Sequence, residues 1–221
     1  MTILKKITLF IALNLFVVCL QAEQNIIIVK GNISTNYIIS DTVKVEITEN
    51  GNSKFVSYRI KNQKIRIKSK KFNWDKNLTA YATIYGNTLS NIRVTNGAIL
   101  RTNEAILNDT ANISVSRGGD LRVHSDNKKI IAKVKTKGFV ELTGKTDNLF
   151  LKVTTDGLFR GNNAEIKKAN IKLSIRGTAV LATKTTGKIG MCGELIIYDE
   201  QNIGQIKKSK RGKITIIEDF H

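Results

Sequence analysis

Acids, histidines and cysteines are the side chains through which this 221-residue sequence could carry out catalysis. Cleaving a polysaccharide needs carboxylates grouped on one face, either as an acid–base pair or holding calcium against a uronic acid. Asp120, Glu141 and Asp156 stand at different offsets from their nearest glycines, so they do not line up along a repeating scaffold. Asp199 and Glu200 read as loop residues, and Glu218 and Asp219 close the last strand-like run. The sequence has no Asp-x-Asp pair and no calcium-loop spacing. These acids read as solvated turn residues, and no catalytic residue is assigned.

The remaining chemistry is equally sparse. Cys192 as a nucleophile needs a basic partner, and the histidines are His124 and the terminal His221; a structural thiol in a strand is the better reading. His124 follows the strand-like LRV without the partners a metal site requires, so neither metal nor cofactor is expected. The glycines of IRG and TTDG lack the strand–glycine–helix context of a phosphate cradle. Trp74, Phe72 and Tyr81 are read as a cap over one end of the core, with a sugar-stacking platform as the alternative. In KKSKRGK, the basic residues Lys207, Lys208, Lys210 and Arg211 are the candidate ligand contacts. Their alternative is a solvated turn before the last strand, KITIIE.

Bulk properties narrow the partner. Thirty-six lysines and arginines against 18 acids give a net charge of +18. The first 22 residues have the form of a secretory signal: Lys5 and Lys6, an uncharged run from Ile7 to Leu20, and Ala22 at the cleavage point. That run is short for a membrane span. Lipid attachment at Cys19 is the less favoured route, because FVVC lacks a small residue before the cysteine. Removing the signal leaves +16 and a single cysteine, hence no internal disulfide. An exported basic chain meets anionic polysaccharide, cell-surface glycan or lipid head groups, rather than nucleic acid. The competing account is compositional, with lysines merely solvating outward strand positions.

A repeat must position these residues. Val94, Val115, Val134, Val153, Leu173 and Ile189 recur with Ala98, Gly119, Gly138, Gly157, Gly177 and Gly193 four positions later. Leu100, Leu121, Val140, Phe159, Ala179 and Leu195 follow two positions after that. Ile92, Ile113, Ala132, Leu151, Ile171 and Gly187 precede the first anchors by two. Even offsets are strand periodicity, and a period near twenty residues is a solenoid signature. The expected fold is all-β, a right-handed parallel β-helix with about 20 residues per coil. The glycine column would let coils pack closely or allow a positive φ at a corner.

Residues 23–75 read as N-terminal strands or cap: antiparallel hairpins or early, irregular coils, with Asn-Gly in ENGNS marking a hairpin turn. Residues 76–217 read as β-helix coils. Both solenoid ends need covers, and the N-terminal hairpins and the last strand are the candidates.

The stretches NIRVTNGAIL, VSRGGDLRV, VTTDGLFRGNNAEIKKANIKLSIRGTAVLAT and GKIGMCGELIIY resemble the putative auto-transporter adhesin head GIN domain family, over about residues 25–215. That resemblance implies a β-helix-like fold and an exported, non-enzymatic role as an envelope or surface scaffold or binding module. It brings no catalytic residues. TNGA keeps the family's small-Gly-small turn, whereas SRGG, KTKG, TTDG and SIRG vary around the glycine. The alternatives are a carbohydrate-active enzyme on the same fold and an electrostatic binder of anionic envelope glycan or lipid.

Overall fold

The computed structural model describes residues 25–49, 53–70, 79–106 and 109–218. They wind into a β-solenoid whose regular part makes about six turns of about 19 residues. The described residues start with β1 (Ile26–Lys30) and β2 (Ile33–Ile39), then pass through β3 (Lys44–Ile47) and β4 (Val56–Lys61). β5 (Lys64–Ser69), β6 (Ala80–Gly86), β7 (Asn91–Thr95), β8 (Ile99–Ile106) and β9 (Thr110–Ser116) follow. Two 16-residue strands, β10 (Asp120–Lys135) and β11 (Phe139–Thr154), run through both sides of the solenoid. The last turns are β12 (Leu158–Gly161), β13 (Ala164–Ser174), β14 (Thr178–Leu181), β15 (Thr185–Ile189), β16 (Glu194–Tyr198), β17 (Ile203–Lys208) and β18 (Lys213–Ile217).

Two parallel stacks result. The first runs β5, β1, β7, β9, the second halves of β10 and β11, β13, β15 and β17. The second runs β6, β2, β8, the first halves of β10 and β11, β12, β14, β16 and β18. At one end spatial order departs from chain order. The β1–β2 turn sits between the β5–β6 turn and the β7–β8 turn, so Ile28 is the register partner of both Arg66 and Arg93.

Strands β4 and β3 cover that end by pairing antiparallel to β5 and β6. The N-terminal zone thus holds a hairpin, β4–β5, and a full turn of solenoid, β1–β2. The hairpin turns at Asn62 and Gln63, both with positive φ. Asn50–Asn52 of the ENGNS segment lie outside the described residues. The strands flanking that segment pair with β6 and β5. At the other end β18 is no cover. It pairs parallel to β16 as the edge of the last turn, because Ile214 prolongs the inward column at Leu195.

The aliphatic columns read from the sequence are in register. Ile92, Ile113, Ala132, Leu151, Ile171 and Gly187 stack, as do Val94, Val115, Val134, Val153, Leu173 and Ile189. Apart from Gly187 these residues are buried, and each large one contributes roughly 1.5–3 kcal/mol. Phe159, fully buried, is the bulkiest member of the facing column, and its neighbours make room for it. Ala179 follows it in register, and a Cβ at Gly161 would lie 2.8 Å from its ring.

Four passages from first to second stack are four-residue turns closed on the column glycine. Gly119, Gly138, Gly157 and Gly177 donate to the carbonyls of Ser116, Lys135, Thr154 and Ser174 at 3.0–3.2 Å. The two central residues have positive φ: Arg117 and Gly118, Thr136 and Lys137, Thr155 and Asp156, Ile175 and Arg176. This is type I′ geometry, which favours Gly, Asn and Asp at those sites. Positive φ therefore falls before the glycine column, and the column serves close packing. A Cβ at Gly177 would lie 2.4 Å from the Val153 carbonyl oxygen of the preceding coil, and one at Gly119 2.7 Å from that of Val94.

Candidate functional site

Outward residues of the first stack also form columns, since parallel in-register partners point the same way. One column reads Arg66, Ile28, Arg93, Ser114, Lys133, Lys152, Lys172, Lys188, Lys207. Its cations are exposed. Five lysines occupy five successive strands, spanning about 19 Å at the usual strand spacing, and the whole column spans about 38 Å. None of these cations takes part in the ion pairs found among the described residues. The strand residues of this stack, from Lys64 to Lys208, include no acid outside the corner described below. At a Debye length of about 8 Å the lysines act on a ligand together.

The column is flanked by hydrogen-bonding side chains. Asn91, Asn112 and Asn170 run along one side, and Ser116, Lys135, Thr154 and Ser174 along the other. Phe150 is 44% exposed beside Ile131, with the Lys129 ammonium 5.0 Å from its ring centre. Where Ser114 interrupts the cations, an open groove of about 360 Å³ crosses β7 and β9. Ile28 and Ile131 stand at its sides, Asn112 and Ser114 between them, and Arg93 and Lys133 on either side of the serine.

The acids are elsewhere, and many of them are paired. At the corner opposite the glycine turns, Asp109, Lys128, Asp147 and Lys167 alternate in sign over successive turns. Lys128 is 3.0 Å from Asp109 and Lys167 2.6 Å from Asp147. Beside them Lys145 is 2.9 Å from Glu165. These residues line an open groove of about 820 Å³ whose charges largely cancel. On the second stack Arg122 lies 3.8 Å from Asp120 and 3.7 Å from Glu141. Burial pushes the Asp120 carboxyl above its ordinary value, against the pull of Arg122 and Arg101. Both carboxylates flank a guanidinium on a strand face. Asp156 meets Arg176 across adjacent turns, and that hydrogen bond holds its carboxyl below the ordinary value. The expectation of solitary acids is thus corrected at Asp120, Glu141 and Asp156, each of which lies within 4 Å of an arginine side chain, whereas Asp109 and Glu165 are exposed as expected.

Other sequence candidates are dispersed. Cys192 lies exposed in a turn with positive φ, rather than in a strand, because its neighbour Gly193 closes that turn on Gly190. His124 is on β10, its Nδ1 3.0 Å from the Thr143 hydroxyl. Among the described residues no cluster of His, Cys, Asp or Glu could hold a metal ion. Tyr81 is 52% exposed on β6. Trp74, Phe72, Cys19, Asp219 and His221 lie outside the described residues, as does the signal segment 1–22. Of the basic run, Lys210 and Arg211 form a turn, whereas Lys207 and Lys208 belong to β17. The expected exposed loop therefore begins later, and Lys207 ends the cation column.

Residues 25–198 match the model of a family described as "Putative auto-transporter adhesin, head GIN domain". The chain belongs to this family. Solved structures share the GIN fold at low identity. A putative adhesin from Bacteroides fragilis NCTC 9343 superposes with a TM-score of 0.71 at 16% identity, covering 88% of this chain and 93% of that one. A putative adhesin from Parabacteroides merdae ATCC 43184 gives 0.61 at 14%, covering 89% and 92%. A putative lipid binding protein from Parabacteroides distasonis ATCC 8503 gives 0.54 at 12%, covering 88% and 90%. Curated proteins yield no match. What separates this GIN domain from a neutral scaffold is the distribution of its charge: pairs at the corner and on the second stack, an unpaired column on the first.

Proposed function

We propose that this GIN-domain protein is an exported, non-catalytic binding module of the cell envelope that holds an anionic partner on the first-stack face. The observation carrying this reading is the acid-free column from Arg66 to Lys207. Lysines placed only to solvate strands would be shared between the faces and interspersed with acids, as they are at the corner. The N-terminal signal, cleaved after Ala22, delivers the chain to the periplasm, the outer membrane surface or the exterior. No helix among the described residues is long and apolar enough to cross a membrane. An adhesin-type head agrees with the family and with a broad face that spreads affinity over many weak contacts.

An enzyme of the same fold would need two carboxylates free to face a sugar. Asp120 and Glu141 both flank Arg122, and in the corner groove Asp109, Asp147 and Glu165 are each paired with a lysine. The test is retention of the protein on acidic and neutral glycan supports at low and high salt, beside a variant with Lys133, Lys152 and Lys172 changed to serine. Retention on acidic supports, lost in the variant and weakened between about 0.1 and 0.5 M salt, supports the reading. Equal retention of the variant overturns it.

A further inference from the structure

We infer that the ligand of this face is a linear acidic polysaccharide lying along the solenoid axis, with one sugar seated in the groove at Ser114. This inference rests on the binding face proposed above and adds the shape and class of the ligand. The geometry is one-dimensional. One line of cations is unbroken, one per strand from Lys133 to Lys207, whereas Lys68, Lys30 and Lys135 are scattered along the next column. An extended 1,4-linked pyranose chain advances by about one strand spacing per ring. Its carboxylates therefore fall within reach of a lysine at every strand or every second strand. Lysine stems are long enough to absorb the small mismatch that accumulates.

The flanks of the line fit a sugar better than a lipid surface. Asn91, Asn112 and Asn170 on one side, and Ser116, Thr154 and Ser174 on the other, offer donors and acceptors to ring hydroxyls. In the groove, Ile28 and Ile131 face each other across Asn112 and Ser114, matching a ring with an apolar C–H face and polar edges. An acyl chain there would strip water from the amide and the hydroxyl without replacing their hydrogen bonds. Arg93 and Lys133 flank Ser114 in register, two strand spacings apart, and clamp a carboxylate between them. The cation missing at Ser114 is thus what opens the seat.

Titration of the purified protein with oligogalacturonates of increasing length tests this directly. Affinity should climb with length until the column's span of about 38 Å is filled, then level off. Galacturonic acid alone should bind at least a hundredfold more weakly than the longest oligomer. Ser114→Leu, which fills the groove without changing charge, should weaken the longest oligomer by tenfold or more. Lys213→Ser on the opposite stack should leave it unchanged, with circular dichroism and melting checked for each variant. Length-independent affinity overturns the axial ligand, as does unaltered binding by Ser114→Leu. Preferential capture of phosphatidylglycerol vesicles over the oligomers would replace it with a membrane. In these outcomes the binding face survives if the triple-serine variant of Lys133, Lys152 and Lys172 still abolishes binding. If Lys213→Ser weakens the oligomer as much as Lys152→Ser does, net charge alone is at work and both readings fall.

Discussion

Lys152 and Lys172 are register partners on adjacent parallel strands, two exposed cations with no acid between them. Lys133 and Lys188 extend the same line on either side. Like charges directly opposite on a sheet are destabilising, so the unliganded column works against the fold that displays it. Lys152→Thr should raise stability at low salt by about 0.5 kcal/mol and weaken anionic-glycan binding at the same time. Thermal melts at about 0.02 and 0.5 M salt check it. The gain should shrink at high salt, where the screening length approaches a few ångströms.

Gly177 is held by the coil before it rather than by its own torsions. A methyl group there would meet the Val153 carbonyl oxygen at 2.4 Å, and that oxygen belongs to a strand fixed on both sides. Gly177→Ala should cost about 3 kcal/mol or more. Gly97 is the control: its φ is +77° but a Cβ would meet nothing within 4 Å. Gly97→Ala should therefore cost only the left-handed penalty of about 1 kcal/mol. Urea midpoints of the two variants separate steric from torsional demand.

Ile175 reverses the argument. It is β-branched, 45% exposed, and held at a φ of 52° in a type I′ turn. Asparagine suits that conformation, and little packing is lost on replacing an exposed side chain. Ile175→Asn should stabilise the protein by about 1 kcal/mol, visible as a higher urea midpoint with an unchanged slope.

The Asp156–Arg176 pair gives an acid-range signature. Because the hydrogen bond from Arg176 lowers the folded carboxyl below its ordinary 3.8, the pair's contribution is present above that value. It disappears as the pH falls through the lower, folded value. Asp156→Asn should lower stability by a constant amount above pH 5 and remove this part of the acid dependence, so that parent and variant converge as the pH falls toward 2. Urea midpoints between pH 5 and 2 would show two parallel curves if the pair contributes nothing.

Much of the fold was legible. Val94, Val115 and Val134 recur at strand-compatible offsets, and an in-register parallel stack places such positions above one another. The insertion of β1–β2 between two later turns was not legible. Ile27 and Val29 alternate like any coil, and local periodicity carries no information about which neighbours a strand takes. The cation column was there to be read. Lys133, Lys152, Lys172 and Lys188 advance by the same intervals as the column glycines, each one residue before an anchor position, and Lys207 lies 19 residues beyond Lys188. Treating lysine as a compositional bias concealed that phase. The pairing of Arg122 with Glu141 was hidden for another reason: it depends on a partner one coil away, whereas Asp120 is two residues from Arg122 on the same strand.

The interleaved turn also constrains the order of folding. In a regular repeat protein each unit docks on its predecessor, and structure can spread along the chain as it appears. Here Ile28 must wait for Arg66 on one side and Arg93 on the other. The first strand to emerge is therefore among the last to be enclosed, and its contacts bridge long loops that close slowly. The regular coils after Val94 are joined at short range and need no capture of β1 to pair with one another. The β4–β5 hairpin joins those coils through β1, which pairs with both β5 and β7.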